Sequence, residues 1–133
     1  MNNNQNEFNL WFSQAKFDLE AAKTSLTAGN YEWACFQAQQ SAEKALKSYL
    51  YLHGKRLIIT HSINKLLQEC SKINNQFQTI TETKALDLYY IPTRYPNGLP
   101  DQIPHDFYKQ EDAELCVNYA ELILSLIDSL TKK

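Results

Sequence analysis

The sequence is poor in several features, and each shortage excludes a class of protein. Its 133 residues include only three glycines, isolated from one another, so no glycine-rich loop is available to cradle a phosphate. No apolar run approaches the ~18 residues of a transmembrane helix, and the N-terminus lacks the regions of a signal peptide. A net charge of −2 argues against a broad nucleic-acid-binding surface. We therefore expect a cytoplasmic protein without a membrane contact, for which any contact with RNA is focal.

The cysteines and histidines are too scattered to form a local metal site. Cys35, Cys70 and Cys116 lie far apart, and neither they nor the three histidines show the paired spacing of zinc ligands. We expect no metal and no other cofactor. Each cysteine falls on the apolar side of a predicted helix, which indicates reduced core thiols in a reducing compartment.

All four prolines lie within thirteen positions, from Pro92 to Pro104. Proline lacks the amide donor and restricts the residue before it, so no regular element can run through this stretch. The sequence predicts a long proline-rich loop, and its aromatic residues favour an ordered one. Loops of this length inside a compact domain are typically functional or disordered, so this loop is a candidate for a site.

The strongest helical pattern covers residues 31–52, which contain no glycine or proline. Apolar side chains recur there at 3- and 4-residue steps, and about half of the apolar arc is alanine, so a neighbouring helix could approach closely. We predict that this is the central helix, with Asn30 as its N-cap and Gly54 as its C-terminal stop.

Helical spacing predicts four further helices, which together with the central one make an all-α fold. They are Glu7 to Thr27 after Asn6 as a cap, His61 to Lys72 capped by Thr60 or Ser62, Asn75 to about Tyr89, and about Lys109 to Leu130. In the fourth of the five helices, the residues at α-helical spacing are Phe77, Ile80, Thr81, Lys84, Ala85 and Leu88. Residues 1–133 then form one domain, an antiparallel up-and-down bundle of four to five helices with a long proline-rich loop before the last helix.

The first and last helices carry more apolar surface than one buried face needs. The additional residues are Leu10, Phe17 and Ala21 on the first helix and Leu115, Tyr119 and Leu122 on the last. Burying apolar surface contributes ~25 cal/mol per Å², so these groups predict a homodimer. Isolated apolar residues are also common on the surfaces of monomers, and a dimer could instead use the central helices, so both alternatives stay open.

Three sequence features together resemble a known family. They are the run FQAQQSAEKALKSYLYLHG in the central helix, His61-Ser62 opening the next helix, and Tyr89 followed by Arg94-Tyr95-Pro96 in the loop. This pattern resembles the HEPN family of small helical domains over nearly the whole chain. The resemblance implies an up-and-down helical bundle that is usually a homodimer, a gene often next to that of a minimal nucleotidyltransferase, and an association with nucleotide binding. A large branch of the family consists of metal-independent ribonucleases that act as toxins in defence systems.

The ribonuclease branch carries an arginine followed four to six residues later by a histidine, and this signature is absent at its usual place. Ten residues separate Arg94 from His105. Arg56 and His61 match the spacing, but they precede the third helix rather than lying where the family places its motif, so we take that match as accidental. Arg94, His105 and His61 are the catalytic candidates that this leaves.

The ligand-binding hypothesis combines the proline-rich loop with a polar strip on the central helix. Its residues are Gln40, Glu43, Lys44 and Lys47 on the strip, Tyr89, Tyr90, Arg94 and Tyr95 in the loop, and His61. The guanidinium of Arg94 suits a phosphate, and the neighbouring tyrosine rings suit a base. His61 could donate to a phosphate or act as an acid or base. We predict that a ligand binds between the strip and the loop.

Each of these residues has a purely structural alternative. Arg94 could reach back to a helix carboxylate such as Glu43 while the tyrosines cover the end of the bundle. Glu43 and Lys47 could form an ion pair on a solvated helix face, which contributes little. His61 could only cap or pack.

Three functions are compatible with the sequence. The first is a dimeric module that binds a nucleotide or RNA and acts with a nucleotidyltransferase partner in a toxin–antitoxin or defence-type system. The second is a divergent metal-independent ribonuclease, and the third is a structural adaptor whose loop binds protein. The missing arginine–histidine spacing favours the first.

Overall fold

A computed structural model of the protein describes residues 3–99 and 101–132. Its helices are α1 (Asn3–Ala28), α2 (Tyr31–Leu52), α3 (Ile63–Ile73), a 3₁₀-helix (Asn75–Tyr89), a short 3₁₀ turn (Pro96–Gly98), α4 (Pro104–Phe107) and α5 (Gln110–Thr131). The described residues contain no β-strand. The predicted all-α bundle is confirmed.

Helix α2 lies at the centre of the bundle and packs against α1, α3, α5 and the 3₁₀-helix. Its alanines Ala34, Ala38, Ala42 and Ala45 are fully buried. Their small side chains allow close helix packing, and the Ser41 hydroxyl donates to the Ala15 carbonyl of α1 at 2.7 Å. The helix ends before Gly54, whose φ of +88° is the left-handed conformation that a helix stop requires.

The segment 75–89 differs from the α-helix that its spacing predicts. It is a 3₁₀-helix with a kink at Ile80, where φ is −125° and ψ is 30°. A 3₁₀-helix has three residues per turn, and its buried residues accordingly recur every third position: Phe77, Ile80, Thr83 and Leu86. The predicted face was therefore wrong beyond Ile80, and Leu88 is 70% exposed.

The helix starts show which capping predictions are correct. Ser62 caps α3, since its side chain accepts a hydrogen bond from the Lys65 N–H at 3.1 Å. Asn6 is not the cap of the first helix, because α1 begins at Asn3 and places Asn6 inside it. Asn30 occupies the N-cap position of α2, but its side chain makes no capping hydrogen bond.

Two further observations bear on the sequence predictions. Cys35, Cys70 and Cys116 are buried and free, as their positions on the apolar helix faces predict. Within residues 3–99 and 101–132, no helix is both long and apolar enough to cross a membrane.

The first part of the proline-rich loop is tied to the end of the 3₁₀-helix. The Thr93 hydroxyl is buried and donates to the Tyr89 carbonyl at 2.7 Å, and the Arg94 N–H donates to the Ile91 carbonyl at 3.0 Å. These bonds form a turn that directs the Arg94 side chain back toward α2.

Candidate functional site

Arg94 lies among three aromatic rings at the surface of the bundle. Its guanidinium carbon is 4.6 Å from the ring centroid of Phe36 on α2, 4.8 Å from that of Tyr90 and 5.3 Å from that of Tyr95. Its Nε donates to the Tyr90 carbonyl at 3.0 Å. The structure does not pair Arg94 with Glu43 or with another carboxylate of the described residues. The two terminal nitrogens of the guanidinium can therefore donate to an anion.

On α2, Glu43 forms the centre of a buried polar network. The residue is 4% exposed, and its Oε2 accepts from Lys47 Nζ at 2.9 Å and from His61 Nδ1 at 3.1 Å. The side-chain amides of Gln39 and Gln40 approach Oε1 at 3.4 and 3.5 Å. Lys47 is only 5% exposed, so the alternative that Glu43 and Lys47 form an ion pair on a solvated helix face is wrong. A buried carboxylate needs this number of donors because unpaired burial of its charge is very unfavourable.

His61 joins the network to the aromatic rings. Its imidazole stacks on the ring of Tyr90, with centroids 5.1 Å apart and an interplanar angle of 18°. Because an ionised carboxylate can only accept, the contact with Glu43 assigns Nδ1 as the donor, and in the neutral imidazole Nε2 then carries the lone pair. The side chain is 54% exposed, so Nε2 is available to a ligand. We call Phe36, His61, Tyr90 and Arg94, together with Glu43, the Arg94 site.

Three of the residues singled out in the sequence, Lys44, His105 and Tyr89, point away from the Arg94 site, and Lys47 reaches it only through Glu43. Lys44 pairs with Asp18 on α1 at 2.6 Å, and His105 contacts the largely buried Glu32 at 3.0 Å. The ring of Tyr89 packs on Tyr108, with centroids 5.8 Å apart, and burial raises the pKa of both phenols, that of Tyr108 to about 12. Lys47 is committed to the Glu43 carboxylate. The loop and strip thus meet through a smaller set of residues than the sequence predicts.

The site also contains residues that the sequence pattern did not indicate. Phe36 precedes Gln40 by four positions and Glu43 by seven, so helical periodicity places it on the same face. Gln39 is fully buried and donates to the His61 carbonyl at 3.2 Å, which holds the start of α3 against α2. The glutamine was recognisable as a polar residue close to the apolar arc, but nothing in the sequence indicated its partner.

The arrangement can bind a phosphate next to a planar base. Arg94 offers a charged fork. Tyr95 is 50% exposed, and Trp33, whose ring lies 6.2 Å from that of Phe36, is 46% exposed, so both offer ring surface. Within the described part of the chain, no group of three or more His, Cys, Asp or Glu side chains is arranged to hold a metal ion.

Comparison with known proteins gives consistent results. The HEPN domain family profile matches residues 8–130. The chain is 29% identical over 134 residues to a curated protein of Methanocaldococcus jannaschii named "Putative toxin MJ1304", covering 93% of this chain and 88% of that one. It is also 30% identical over 111 residues to human sacsin, which is 77% of this chain but only 2% of sacsin.

Solved structures show the same relationship. The crystal structure of TT1696 from Thermus thermophilus has a TM-score of 0.85 and 36% identity, with 97% of this chain and 98% of that chain covered. The archaeal HEPN homologue ST0689 has a TM-score of 0.77 and 36% identity, covering 94% and 98%. An HEPN domain protein of Thermotoga maritima has a TM-score of 0.70 and 34% identity, covering 90% and 95%. The chain therefore belongs to the HEPN domain family.

Proposed function

We propose that this HEPN-domain protein binds a nucleotide or a short segment of RNA at the Arg94 site. The observation that carries the proposal is the Arg94 guanidinium, which lies on three aromatic rings and has no carboxylate partner among the described residues. A phosphate would accept from its two terminal nitrogens, and a base would stack on an exposed ring such as Tyr95. His61 Nε2 adds a further polar contact.

We place this binding in a toxin–antitoxin or defence-type system, with a nucleotidyltransferase as the protein partner. The name of the archaeal relative, which is similar to this chain over most of its length, supports the toxin-like role. The nucleotidyltransferase partner is what the family resemblance implies. The proposal includes one domain, a reducing cytoplasm that suits three buried free thiols, and no metal or other cofactor.

A homodimer is part of the proposal. Leu10 and Phe17 on α1 are 67% and 71% exposed, and Leu115 and Leu122 on α5 are 41% and 43% exposed. A groove of about 580 Å³ lies between the same two helices and is lined in part by Phe12, Phe17 and Leu124. Exposed apolar surface of this kind is typical of subunit contacts, so α1 and α5 are the faces that we assign to the dimer.

A ribonuclease is the second candidate, and the His61–Glu43 pair is the observation that favours it. A carboxylate on Nδ1 orients the ring and leaves Nε2 able to take a proton from a ribose 2′-hydroxyl. The 2′-oxygen would then form a bond to the adjacent phosphorus, the bond from phosphorus to the 5′-oxygen would break, and that oxygen would take up a proton. The products are a 2′,3′-cyclic phosphate and a 5′-hydroxyl. Arg94 would stabilise the charge on the phosphorane oxygens.

The decisive experiment for binding is calorimetry with a panel of nucleotides and a short single-stranded RNA. Arg94→Ala should weaken binding by about 1.5–3 kcal/mol, roughly 10- to 150-fold, which is the range for hydrogen bonds to charged groups. Arg56→Ala is the matched control, because Arg56 also lies on a tyrosine ring, that of Tyr51, but its contacts are with residues outside the Arg94 site. Unchanged affinity in Arg94→Ala, or loss of helical content in that variant, would return Arg94 to a structural role.

Cleavage is tested separately with a 5′-labelled RNA. If the second candidate is correct, the wild type releases fragments with cyclic phosphate ends, and His61→Asn and Glu43→Gln abolish them. His105→Asn serves as the control, because His105 contacts Glu32 instead. Tight RNA binding without cleavage would reject the ribonuclease and leave the binding module.

A further inference from the structure

The connection between α2 and α3 has an unusual surface that the Arg94 site does not explain. Residues 55–60 form no regular structure, and we call them the docking segment. Leu57 and Ile59 are 92% and 86% exposed, more than the other large apolar residues of the described chain, whereas Ile58 between them packs against the core. The segment is therefore anchored by one side chain and presents two others to solvent.

The backbone N–H groups of the docking segment are the second feature of this surface. In the described part of the chain, the amide N–H groups of Arg56, Leu57, Ile58, Ile59 and Thr60 have no backbone hydrogen-bond acceptor. Such donors must be satisfied by water in the free protein. A row of unpaired backbone donors is what an added extended strand uses for binding.

Leu57 also has a strained backbone. Its φ is +58°, in the left-handed region that a bulky side chain rarely adopts because the Cβ atom then approaches the following carbonyl oxygen. The strain is not offset by packing within the chain, because the Leu57 side chain is almost fully exposed. Backbone strain of this kind is concentrated at functional sites and ligand-binding segments.

The charges beside the docking segment favour an acidic partner. A groove of about 330 Å³ runs along it, and three cations and one carboxylate line it: Lys55, Arg56, Lys65 and Glu69. The floor of the groove is apolar, with Leu50 and Leu66. This local positive excess occurs in a chain whose net charge is −2. Carboxylates on a partner would therefore be attracted to this rim.

These observations distinguish among the partners that could cover the segment. Insertion into a membrane would leave the backbone donors without acceptors in hydrocarbon. A second copy of the chain would bring two sets of Lys55, Arg56 and Lys65 to one interface. A single-stranded nucleic acid would require aromatic stacking surfaces, and the exposed side chains here are aliphatic. An extended peptide supplies carbonyl acceptors, apolar side chains and negative charge together.

We propose that the docking segment binds an extended acidic segment of a partner protein, whose backbone carbonyls pair with those amides of residues 56–60 that face it and whose apolar side chains cover Leu57 and Ile59. This surface is separate from the proposed ligand contacts at Arg94. It ends next to His61, so the partner would lie beside the Arg94 site without occupying it.

The test uses the full chain, ¹⁵N-labelled, and the capped peptide Glu-Val-Glu-Ile-Glu-Val as the probe. The expected result is chemical-shift change centred on residues 56–60, amide hydrogen exchange slowed at least tenfold at saturation for at least two amides of this segment, and affinity at least tenfold above that of the capped peptide Lys-Val-Lys-Ile-Lys-Val. Shifts without slowed exchange would overturn backbone pairing. Equal affinity for the two peptides, or shifts centred elsewhere, would overturn the proposal as a whole.

Variants separate the docking surface from the fold. Leu57→Asn introduces a residue that tolerates positive φ and removes the apolar side chain. Peptide affinity should therefore fall at least fivefold with no loss of thermal stability. Leu88→Asn is the matched control, a 70% exposed leucine on the 3₁₀-helix, and should bind the peptide as the wild type does. Equal losses in both variants would refute a local site.

Two further measurements exclude the other occupants. Concentration-dependent shifts of residues 56–60 without peptide would assign the segment to a second copy of the chain. Binding to vesicles of phosphatidylglycerol and phosphatidylcholine that is lost in Leu57→Asn would assign it to a membrane surface. Either result overturns the peptide assignment. A failure of nucleotide binding at Arg94 would leave the docking proposal and its tests unchanged.

Discussion

Removing the cation beside Glu43 should test the energetics of the buried network most directly. The Lys47 and Glu43 side chains are each 6% exposed and their charged atoms are 2.9 Å apart. Lys47→Met keeps the length of the aliphatic chain but leaves the carboxylate without its closest donor. The remaining donors are His61 at 3.1 Å and the more distant amides of Gln39 and Gln40. These cannot replace the full charge.

The expected cost is about 3–5 kcal/mol, the range for breaking a buried ion pair by removal of one partner. At roughly 4 °C per kcal/mol for a domain of this size, the melting temperature should fall by about 12–20 °C. Urea unfolding followed by circular dichroism gives the free energy, and an unchanged m-value would show that the unfolding reaction is the same.

A double variant provides the control. Glu43→Leu combined with Lys47→Met removes both charges and should lie much closer to the wild type than Lys47→Met alone, because no charge is then left buried. A cost below about 1 kcal/mol for Lys47→Met would match an exposed ion pair and would refute the reasoning from burial.

Three other predictions concern stability, pH and assembly. Asp87→Ala should destabilise the protein by about 2 kcal/mol in urea unfolding. The reason is that Asp87 accepts hydrogen bonds from Ile63 N–H at 2.6 Å, Asn64 N–H at 3.0 Å and the Ser62 hydroxyl at 3.1 Å. Asp106 is exposed, so Asp106→Ala should have little effect on stability. Burial raises the pKa of Tyr108 from 10.0 to about 12, so its stabilising contribution is complete below pH 10 and is lost as the pH rises from 10 through 12. Alkaline titration of the melting temperature should show this loss, and Tyr108→Phe should make it smaller; an identical profile in the variant would contradict the assignment. Sedimentation of the wild type should give a dimer and that of Phe17→Glu a 15.4 kDa monomer, whereas a wild-type monomer at micromolar concentration would remove the dimer from the proposal.

The central helix could be predicted from sequence to the residue, because its alanine periodicity and the absence of glycine and proline leave one interpretation. The 3₁₀-helix could not. Its buried positions follow a period of three, and α-helical spacing agrees with that period only for Phe77 and Ile80. Thr83 falls on this repeat, and its hydroxyl tolerates burial because it donates to the Ile80 carbonyl at 2.7 Å, a local bond that hydrophobic periodicity does not reveal.

The site was predictable in its parts but not in its arrangement. Arg94 and Tyr90 were recognisable by residue type and by their place in a proline-rich loop. The contact between Glu43 and His61 joins residues 18 positions apart, and it depends on how the connection to α3 folds back over α2. Lys44 and Glu43 are neighbours in sequence, yet successive helical residues point about 100° apart, and Lys44 therefore pairs with Asp18 on α1.

The carboxylate of Asp87 has a kinetic consequence for ligand binding. It accepts hydrogen bonds from the start of α3, immediately after His61, and Tyr90 follows it by three positions. One side chain therefore fixes the stacked rings of His61 and Tyr90 relative to each other. In the binding that we propose, a ligand would then meet a surface that needs little reordering, and association would be limited by encounter rather than by a conformational step. Variants at Arg94 should consequently change the dissociation rate, while the association rate stays nearly constant. Asp87→Ala would loosen the stack and slow association, although Asp87 itself does not belong to the Arg94 site.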